Sequence, residues 1–254
     1  MEAEPKKRWL GTVCAQNGIR LSDEQLQSVE LLATLLLDWN KKINLVSRRD
    51  EENFWTSHIL HCLSLLFKVD LPADATILDL GTGGGLPGLP LKIARPDLLF
   101  TLLDSTQKKI NVVNDIIAAL GLRGINAVWG RAEELGKTKE HNHRYDVVVA
   151  RAVASLKDLV RWSEPFLKTG GTTTSLTAAT TGDQTRRRIG KPTLIALKGG
   201  DLNGEIEQIQ KLPQVKTITV LDLTLKGSSQ FDGSEKKIVL VEITGTPKQK
   251  ADRQ

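Results

Sequence analysis

Cysteine is scarce in this chain, which argues against two ways of supporting a fold. Only Cys14 and Cys62 occur among 254 residues, and neither belongs to a Cys-x-x-Cys pair. Isolated cysteines of this kind are typical of buried thiols rather than of disulfides or metal ligands. We therefore predict no disulfide and no metal site.

Long apolar runs are also missing. No stretch approaches the roughly 20 apolar residues that a membrane-spanning helix needs, and MEAEPKKRWLG at the N-terminus has no apolar run of the signal-peptide type behind its basic residues. We therefore expect a cytoplasmic protein that contacts no membrane. Nothing in the sequence indicates an obligate dimer, so we expect a monomer.

The composition that is present suits one α/β domain with an appendage. Hydrophobic residues make up 40% of the chain, enough for a sizeable core. The formal net charge is +5, and the basic residues are spread along the chain in small groups. This balance is compatible with a nucleic-acid partner, although many enzymes are equally basic.

Residues 1–72 are predicted to form an N-terminal helical segment. Ser22 is a suitable N-cap, Gln25 follows three residues later, and apolar residues then recur at helical spacing as far as Trp39. The acidic run that starts at Asp50 favours the beginning of a second helix.

Residues 73–247 predict a domain in which short apolar strands alternate with helices. The predicted strands are 76–80, 98–104, 125–130, 145–151, 193–199, 214–225 and 235–244. This order indicates an α/β fold with a doubly wound, mostly parallel sheet and an antiparallel last strand. The Thr- and Gly-rich stretch 169–192 is predicted to be a mobile insertion, and 248–254 a tail.

A glycine-rich loop, DLGTGGGLPGLP, follows the first strand of this domain. Ligands of parallel sheets bind at the carboxyl ends of the strands, where this loop lies. A dinucleotide loop would need glycine at position 86, which is Leu86, and the G-x-G-x-x-G string that begins at Gly83 starts two residues too late. No Gly-Lys-Ser/Thr follows, which excludes a phosphate-binding P-loop.

The register D-x-G-x-G-x-G is typical instead of S-adenosylmethionine-dependent methyltransferases. Asp79 can interact with the methionine amino group directly or through water, and Asp104, at the end of the second strand, can accept hydrogen bonds from ribose hydroxyls. Ala132 and Glu133 follow the third strand, where adenine would lie. The loop glycines predicted to approach the cofactor are Gly81, Gly83 and Gly85.

The sequence leaves the methyl acceptor open. Neither cysteine follows a core strand, as attack through pyrimidine C5 would require, and residues 150–155 lack the Asn/Asp-Pro-Pro-aromatic turn common in amine methylation. Lys198, after the fifth strand, is a possible base for a hydroxyl acceptor. An acceptor with a free lone pair, such as guanine N7, needs no base, and alignment alone can contribute about 7–11 kcal/mol. The catalytic residues are unknown at this point, with Arg151 and Lys198 as positioning candidates.

Several ordered motifs resemble one family. They are WNKKINL at 39–45, HIL at 58–60, the loop at 79–90, LLDS at 102–105 followed by Lys108-Lys109, ARA at 150–152 and ALKG at 196–199. The chain is similar to the RsmG (GidB) family of bacterial methyltransferases. The resemblance implies the class I S-adenosylmethionine-dependent fold and methylation of guanine 527 at N7 in 16S rRNA, with 16S rRNA or the small ribosomal subunit as partner.

The resemblance also implies site residues. Those implied to contact the cofactor are Gly81, Leu86, Asp104, Ser105, Ala132, Glu133 and Arg151. An arginine at the mouth of a strand can also bind a carboxylate or phosphate bidentately. Asn44 and His58 are implied to close over the cofactor or to meet RNA, and Lys108 and Lys109 are further RNA-binding candidates. Where the family often has Asp-Ser after His58, this chain has His61-Cys62.

The arginine run in the insertion suggests one more contact, since Arg186, Arg187 and Arg188 could bind rRNA phosphates. Three alternatives to an rRNA enzyme remain: a methyltransferase of another substrate, a non-catalytic cofactor-binding protein such as a ribosome-assembly factor, and a nicotinamide-dependent oxidoreductase. Leu86 in the glycine loop disfavours the last of these.

Overall fold

The computed structural model describes residues 3–46, 51–169, 177–181, 184–189, 192–228 and 235–244. The α-helices are α1 (Ala3–Gln16), α2 (Asp23–Asn40), α3 (His61–Lys68), α4 (Gly88–Ala94), α5 (Gln107–Ala119), α6 (Ala132–Leu135), α7 (Leu156–Ser163) and α8 (Asn203–Gln210). A π-helical turn, Trp55–Leu60, leads directly into α3. No helix within these ranges is long and apolar enough to cross a membrane.

The strands form one large and one small sheet. They are β1 (Val69–Asp70), β2 (Thr76–Leu80), β3 (Leu99–Asp104), β4 (Ile125–Trp129), β5 (Val147–Arg151), β6 (Thr177–Thr181), β7 (Gln184–Arg188), β8 (Thr193–Gly199), β9 (Val215–Asp222) and β10 (Lys236–Ile243). The large sheet has the order β4-β3-β2-β5-β8-β10-β9, and only β10 runs against its neighbours. This confirms the predicted doubly wound, mostly parallel sheet with an antiparallel last strand.

Both faces of the large sheet are covered by helices, as the continuous burial along β2, β5 and β8 requires. On one face, Ile77 and Leu102 join a core with residues of α1 to α5 such as Leu32 and Phe67. On the other face, Leu78 packs with residues of α7 and α8. The helical segment 1–72 thus shares a core with the sheet, and the division at residue 72 stays a prediction about the chain.

The N-terminal helix start was predicted correctly in detail. Ser22 caps α2, and its hydroxyl accepts a hydrogen bond from the backbone N–H of Gln25 at 3.2 Å. The Gln25 side chain in turn accepts from the backbone N–H of Ser22 at 2.9 Å. This reciprocal pair satisfies two of the N–H groups that a helix start leaves without partners.

Within the insertion 169–192, β6 and β7 form an antiparallel pair that was not predicted, and β7 also pairs in parallel with β1. The predicted mobility of the insertion stays a prediction. Thr residues are β-branched and favour strands, an effect that the Gly-rich context concealed. Arg188 lies 3.2 Å from the carboxylate of Asp70, and Arg186 donates to the Gly18 carbonyl. The predicted tail 248–254 lies outside the described residues.

Candidate functional site

A cleft lies at the carboxyl ends of β2, β3 and β5. It encloses about 540 Å³. Its walls are the glycine loop, the ends of β3 and β5, the first turn of α5, and part of the connection from α2 to α3. The residues that line it are Leu45, Val46, His58, Gly81, Thr82, Gly83, Gly84, Leu86, Asp104, Ser105, Thr106, Lys109, Arg151, Ala152 and Val153.

A smaller cavity of about 210 Å³ adjoins this cleft. The two share Gly81, Asp104, Ser105 and Val153. The smaller cavity extends under the turn after β4, where it is lined by residues 130–133, including the predicted Ala132 and Glu133, and by Trp162 of α7. Neither Trp162 nor Val153 was predicted as a site residue from the sequence.

The glycine loop presents its backbone to the cleft. Gly81 has φ +71°, and a Cβ at this position would lie 2.7 Å from both Cγ atoms of Val153, so a side chain is excluded here. Gly83 has φ +58°, yet nothing lies within 4 Å of the place where its Cβ would be. The Gly83 position therefore faces open space in the cleft. Gly85 packs against Leu89 instead of lining the cleft.

Asp79 lies beneath the loop, and its predicted interaction with the methionine amino group, directly or through water, stays a prediction. Its side chain is fully buried and does not border the cleft. The Oδ2 atom accepts from the Thr82 hydroxyl at 2.6 Å and from the Gly88 N–H at 2.8 Å. These two hydrogen bonds attach both ends of the glycine loop to β2, the strand that carries Asp79. Burial raises the pKa of Asp79 from 3.8 to about 7.

Asp104 joins the end of β3 to the loop. Its Oδ2 accepts from the Gly83 N–H at 2.9 Å, and its Oδ1 accepts from the Thr106 N–H at 2.8 Å. The residue borders both cavities. The structure thus places Asp104 and the neighbouring Ser105 where the two cavities meet.

Arg151 lies at the end of β5, half-buried on the floor of the cleft. Its Nη1 donates to the His58 carbonyl and to the Cys62 Sγ, both at 3.3 Å, and its Nη2 donates to the His58 Nδ1. Because a guanidinium only donates, the Nδ1 of His58 must accept, which makes His58 neutral with its proton on Nε2. Arg151 forms no ion pair with any residue that the structure describes, so its charge is available to an anion in the cleft.

The residues that replace the expected Asp-Ser pair are buried beside Arg151. His61 and Cys62 lie in α3, exposed by 8% and 0%. Burial lowers the pKa of His61 well below its ordinary value, and the charge of Arg151 adds to this effect. Burial likewise raises the pKa of Cys62. At neutral pH, Arg151 therefore has two uncharged neighbours in a place where the family often provides a carboxylate.

The segment that follows α2 covers the cleft, and a buried asparagine holds it. The Asn40 Oδ1 accepts from the N–H groups of Leu45 and Val46 at 2.8 and 3.0 Å, and its Nδ2 donates to Glu51 at 2.7 Å. The predicted Asn44 is exposed and does not border the cleft. Contact of Asn44 with RNA stays a prediction, whereas Asn40 of the same WNKKINL motif was not predicted as a site residue. The position of Asn40 at the end of an amphipathic helix was the available signal.

Lys198 does not reach the cleft, which weighs against its role as a base. Its Nζ lies 3.0 Å from Glu205 Oε1 and donates to the Ala154 carbonyl at 3.1 Å. Glu205 also accepts from the N–H of Leu156, at the start of α7. The Lys198–Glu205 pair therefore holds the turn between β5 and α7 that contributes Ala152 and Val153 to the cleft.

The predicted RNA-binding residues are dispersed. Lys109 borders the cleft, and Lys108 is exposed on the same turn of α5. Arg186 and Arg188 lie toward the amino ends of the parallel strands, because β7 ends five residues before β8 begins and pairs with β1, which ends six residues before β2 begins. The three arginines of the insertion are thus far from the cleft, and phosphate binding by them stays a prediction.

The two cysteines are buried thiols, and the described residues contain no candidate metal site. Cys14 and Cys62 are both free and buried, and burial raises the pKa of Cys14 to about 12. Neither is suited to nucleophilic attack, which requires the thiolate. Within the described ranges, no group of three or more His, Cys, Asp or Glu side chains could hold a metal ion.

Comparisons with known proteins show which family this chain matches in sequence. The family model GidB, rRNA small subunit methyltransferase G, matches residues 25–194. Ribosomal RNA small subunit methyltransferase G of Desulforamulus reducens is 33% identical over 227 residues, which cover 89% of this chain and 86% of the relative. The protein of the same name from Moorella thermoacetica is 40% identical over 166 residues, which cover 65% of this chain and 69% of the relative.

Among solved structures, precorrin-6y C5,15-methyltransferase from Geobacter metallireducens superposes with a TM-score of 0.43 at 10% identity. The superposition covers 80% of this chain and 92% of that one.

Proposed function

This chain belongs to the GidB family of rRNA small subunit methyltransferases, and on that premise we propose that it transfers the methyl group of S-adenosylmethionine to N7 of guanine 527 in 16S rRNA. The observation that carries the proposal is the bipartite cleft at the carboxyl ends of β2, β3 and β5. It combines an open glycine backbone, an arginine without an ion-pair partner among the described residues, and a carboxylate between two cavities.

The cleft fits the three parts of the cofactor in order. Gly81, Gly83 and Arg151 would hold the methionine end in the larger cavity, with the guanidinium facing its carboxylate. Asp104 would accept hydrogen bonds from the ribose at the junction. Adenine would occupy the smaller cavity beside Ala132 and the other residues that line it. Asp79 supports this arrangement from below by fixing the loop.

The residues around the cleft suit an acceptor that loses no proton. S-adenosylmethionine supplies a methyl group on a positively charged sulfur, which a nitrogen lone pair displaces directly. Guanine N7 has such a lone pair, so the protein needs to align the base and exclude water rather than remove a proton. Lys198 is held by Glu205, and Cys62 is buried, so neither is placed to act as base or nucleophile. Methylation of N7 fits a site in which neither of these two residues can remove a proton or attack the methyl acceptor.

A transfer assay tests the proposal. The protein is incubated with methyl-tritiated S-adenosylmethionine and small-subunit particles from cells that lack the modification, and the rRNA is then digested to nucleosides. We expect the label in 7-methylguanosine. Label in another nucleoside or in ribosomal protein would indicate a methyltransferase of another substrate. Cofactor binding without any transfer would indicate a non-catalytic assembly factor.

Naked 16S rRNA and the assembled small subunit are both possible substrates. The same assay with protein-free rRNA distinguishes them, because the acceptor must be reachable as a splayed base in the form that is used. Sedimentation of the free protein tests the expected monomer.

A further inference from the structure

An exposed tryptophan lies beside the cleft. Trp129 is the last residue of β4 and pairs in register with Asp104 of β3. It exposes 57% of its surface. Its indole Nε1 donates to the Ser105 carbonyl at 3.0 Å. This hydrogen bond fixes one edge of the ring against the turn after β3, so an aromatic surface is held in solvent instead of packing in the core.

Three cations are close to Trp129 or to its hydrogen-bond partner Ser105 in the chain. Lys108 and Lys109 stand three and four residues after Ser105, on the first turn of α5, and Arg131 follows Trp129 by two residues. Lys109 borders the larger cavity and Arg131 the smaller one. We call Trp129, Lys108, Lys109 and Arg131 the Trp129 platform. The platform is continuous with the mouth of the proposed cofactor site.

Within the Trp129 platform, the tryptophan ring itself is outside the two cofactor cavities. Trp129 borders neither cavity among the residues that the structure describes. A ring that served the cofactor would line one of them, and a ring that served the core would be buried. Its position suits a second molecule that approaches the cleft from solvent.

We propose that the Trp129 platform holds single-stranded rRNA next to the target guanine, with an unpaired flanking base stacked on the indole and neighbouring phosphates bound by Lys108, Lys109 and Arg131. This inference rests on the proposed rRNA methylation. Sequence-specific RNA recognition uses splayed bases that stack on aromatic rings. An aromatic ring bordered by cations is the combination that single strands require, since the ring meets the base and the cations meet the phosphates. The charge of the platform favours RNA over a protein partner.

Replacement of the ring tests the stacking. The variants are Trp129→Ala and Trp129→Phe, with Leu31→Ala as control, because Leu31 is 43% exposed on α2 and away from the cleft. From the usual contribution of one base stacked on an aromatic ring, Trp129→Ala should weaken binding of fluorescent small-subunit rRNA about 5- to 150-fold. Phe retains a ring but loses the hydrogen bond to the Ser105 carbonyl, so it should restore only part of this loss. The affinity for S-adenosylmethionine should not change in any variant.

Salt dependence tests the phosphate contacts. A double variant, Lys108→Gln with Arg131→Gln, should flatten the slope of log K against log salt by about 0.7 for each lost contact. Lys139→Gln, in an exposed turn away from the cleft, serves as control and should leave the slope unchanged. Trp129→Ala should lower affinity at every salt concentration without altering the slope.

The outcomes separate this inference from the proposed function. Equal RNA affinity for Trp129→Ala and the unaltered protein would overturn the platform, even if 7-methylguanosine is formed. Weakened cofactor binding by Trp129→Ala would assign the ring to the cofactor and would overturn it as well. Because the binding assay needs no methyl transfer, Trp129-dependent RNA binding without 7-methylguanosine would support the platform and refute the proposed reaction.

Discussion

The substitution Gly83→Ala should weaken cofactor binding much more than it reduces the stability of the fold. Gly83 has φ +58°, and an alanine there would pay about 1–2 kcal/mol for its left-handed backbone. Alanine also restricts the unfolded chain, which stabilises the folded state by about 0.4–1 kcal/mol. Since nothing lies within 4 Å of the new Cβ, no clash adds to this sum. We expect a net loss of about 1 kcal/mol in the free energy of unfolding.

The effect on the cofactor should be much larger than the effect on folding. The new methyl group would stand in the cleft where the methionine end passes the backbone, and we expect affinity for S-adenosylmethionine to fall at least about tenfold, or about 1.4 kcal/mol. Isothermal titration calorimetry measures this affinity, and urea unfolding measures stability.

Gly121→Ala is the matched control. Gly121 has φ +60°, its Cβ also meets nothing within 4 Å, and it lies after α5, about 20 Å along that helix from the cleft. It should lose similar stability and keep full cofactor affinity. If Gly83→Ala bound the cofactor as tightly as Gly121→Ala, the cofactor could not approach the backbone at Gly83, and our placement of the methionine end would be wrong.

Three further predictions concern the residues around the loop. Asn40→Ala leaves the N–H groups of Leu45 and Val46 without their partner and should raise KM for the cofactor more than it lowers kcat, whereas Asn44→Ala should do neither. Arg151→Lys loses the planar fork and should weaken cofactor binding about 10- to 100-fold, with unfolding by urea showing whether the fold persists. Because the folded-state pKa of Asp79, about 7, exceeds the ordinary 3.8, the folded protein binds more protons across that range and loses stability as pH rises through it. Asp79→Asn should reduce this loss when urea unfolding at pH 5 and pH 8 is compared.

Local pattern was enough to predict the sheet. Strands such as β2 and β8 have the predicted bounds 76–80 and 193–199, because short apolar runs flanked by turn residues specify buried parallel strands. The position of the glycine loop followed from the same reasoning, since a loop after a parallel strand must lie at its carboxyl end. The hairpin of β6 and β7 was missed because its pairing with β1 joins residues more than 100 positions apart.

The sequence did not show which side chains point into the cleft, and this limited the prediction of the site residues. Asp79 is the penultimate residue of β2 and pairs with Leu102, whereas Asp104 is the last residue of β3; the first is buried under the loop and the second borders both cavities. The sequence gives no rule for this difference, which depends on the path of the loop above β2. Leu45 and Val46 reach the cleft because Asn40 folds the chain back over it, and such a tertiary contact has no periodic signal.

The most direct test of the account is the identity of the nucleotide that the protein modifies. Small-subunit rRNA treated with the protein and S-adenosylmethionine is reduced with borohydride and cleaved with aniline, a treatment that cuts the chain at 7-methylguanosine. We predict one new cut, at guanine 527, that disappears when Gly83→Ala is assayed at limiting cofactor. Uncut rRNA from a reaction in which methyl groups were transferred to another nucleoside would contradict the account.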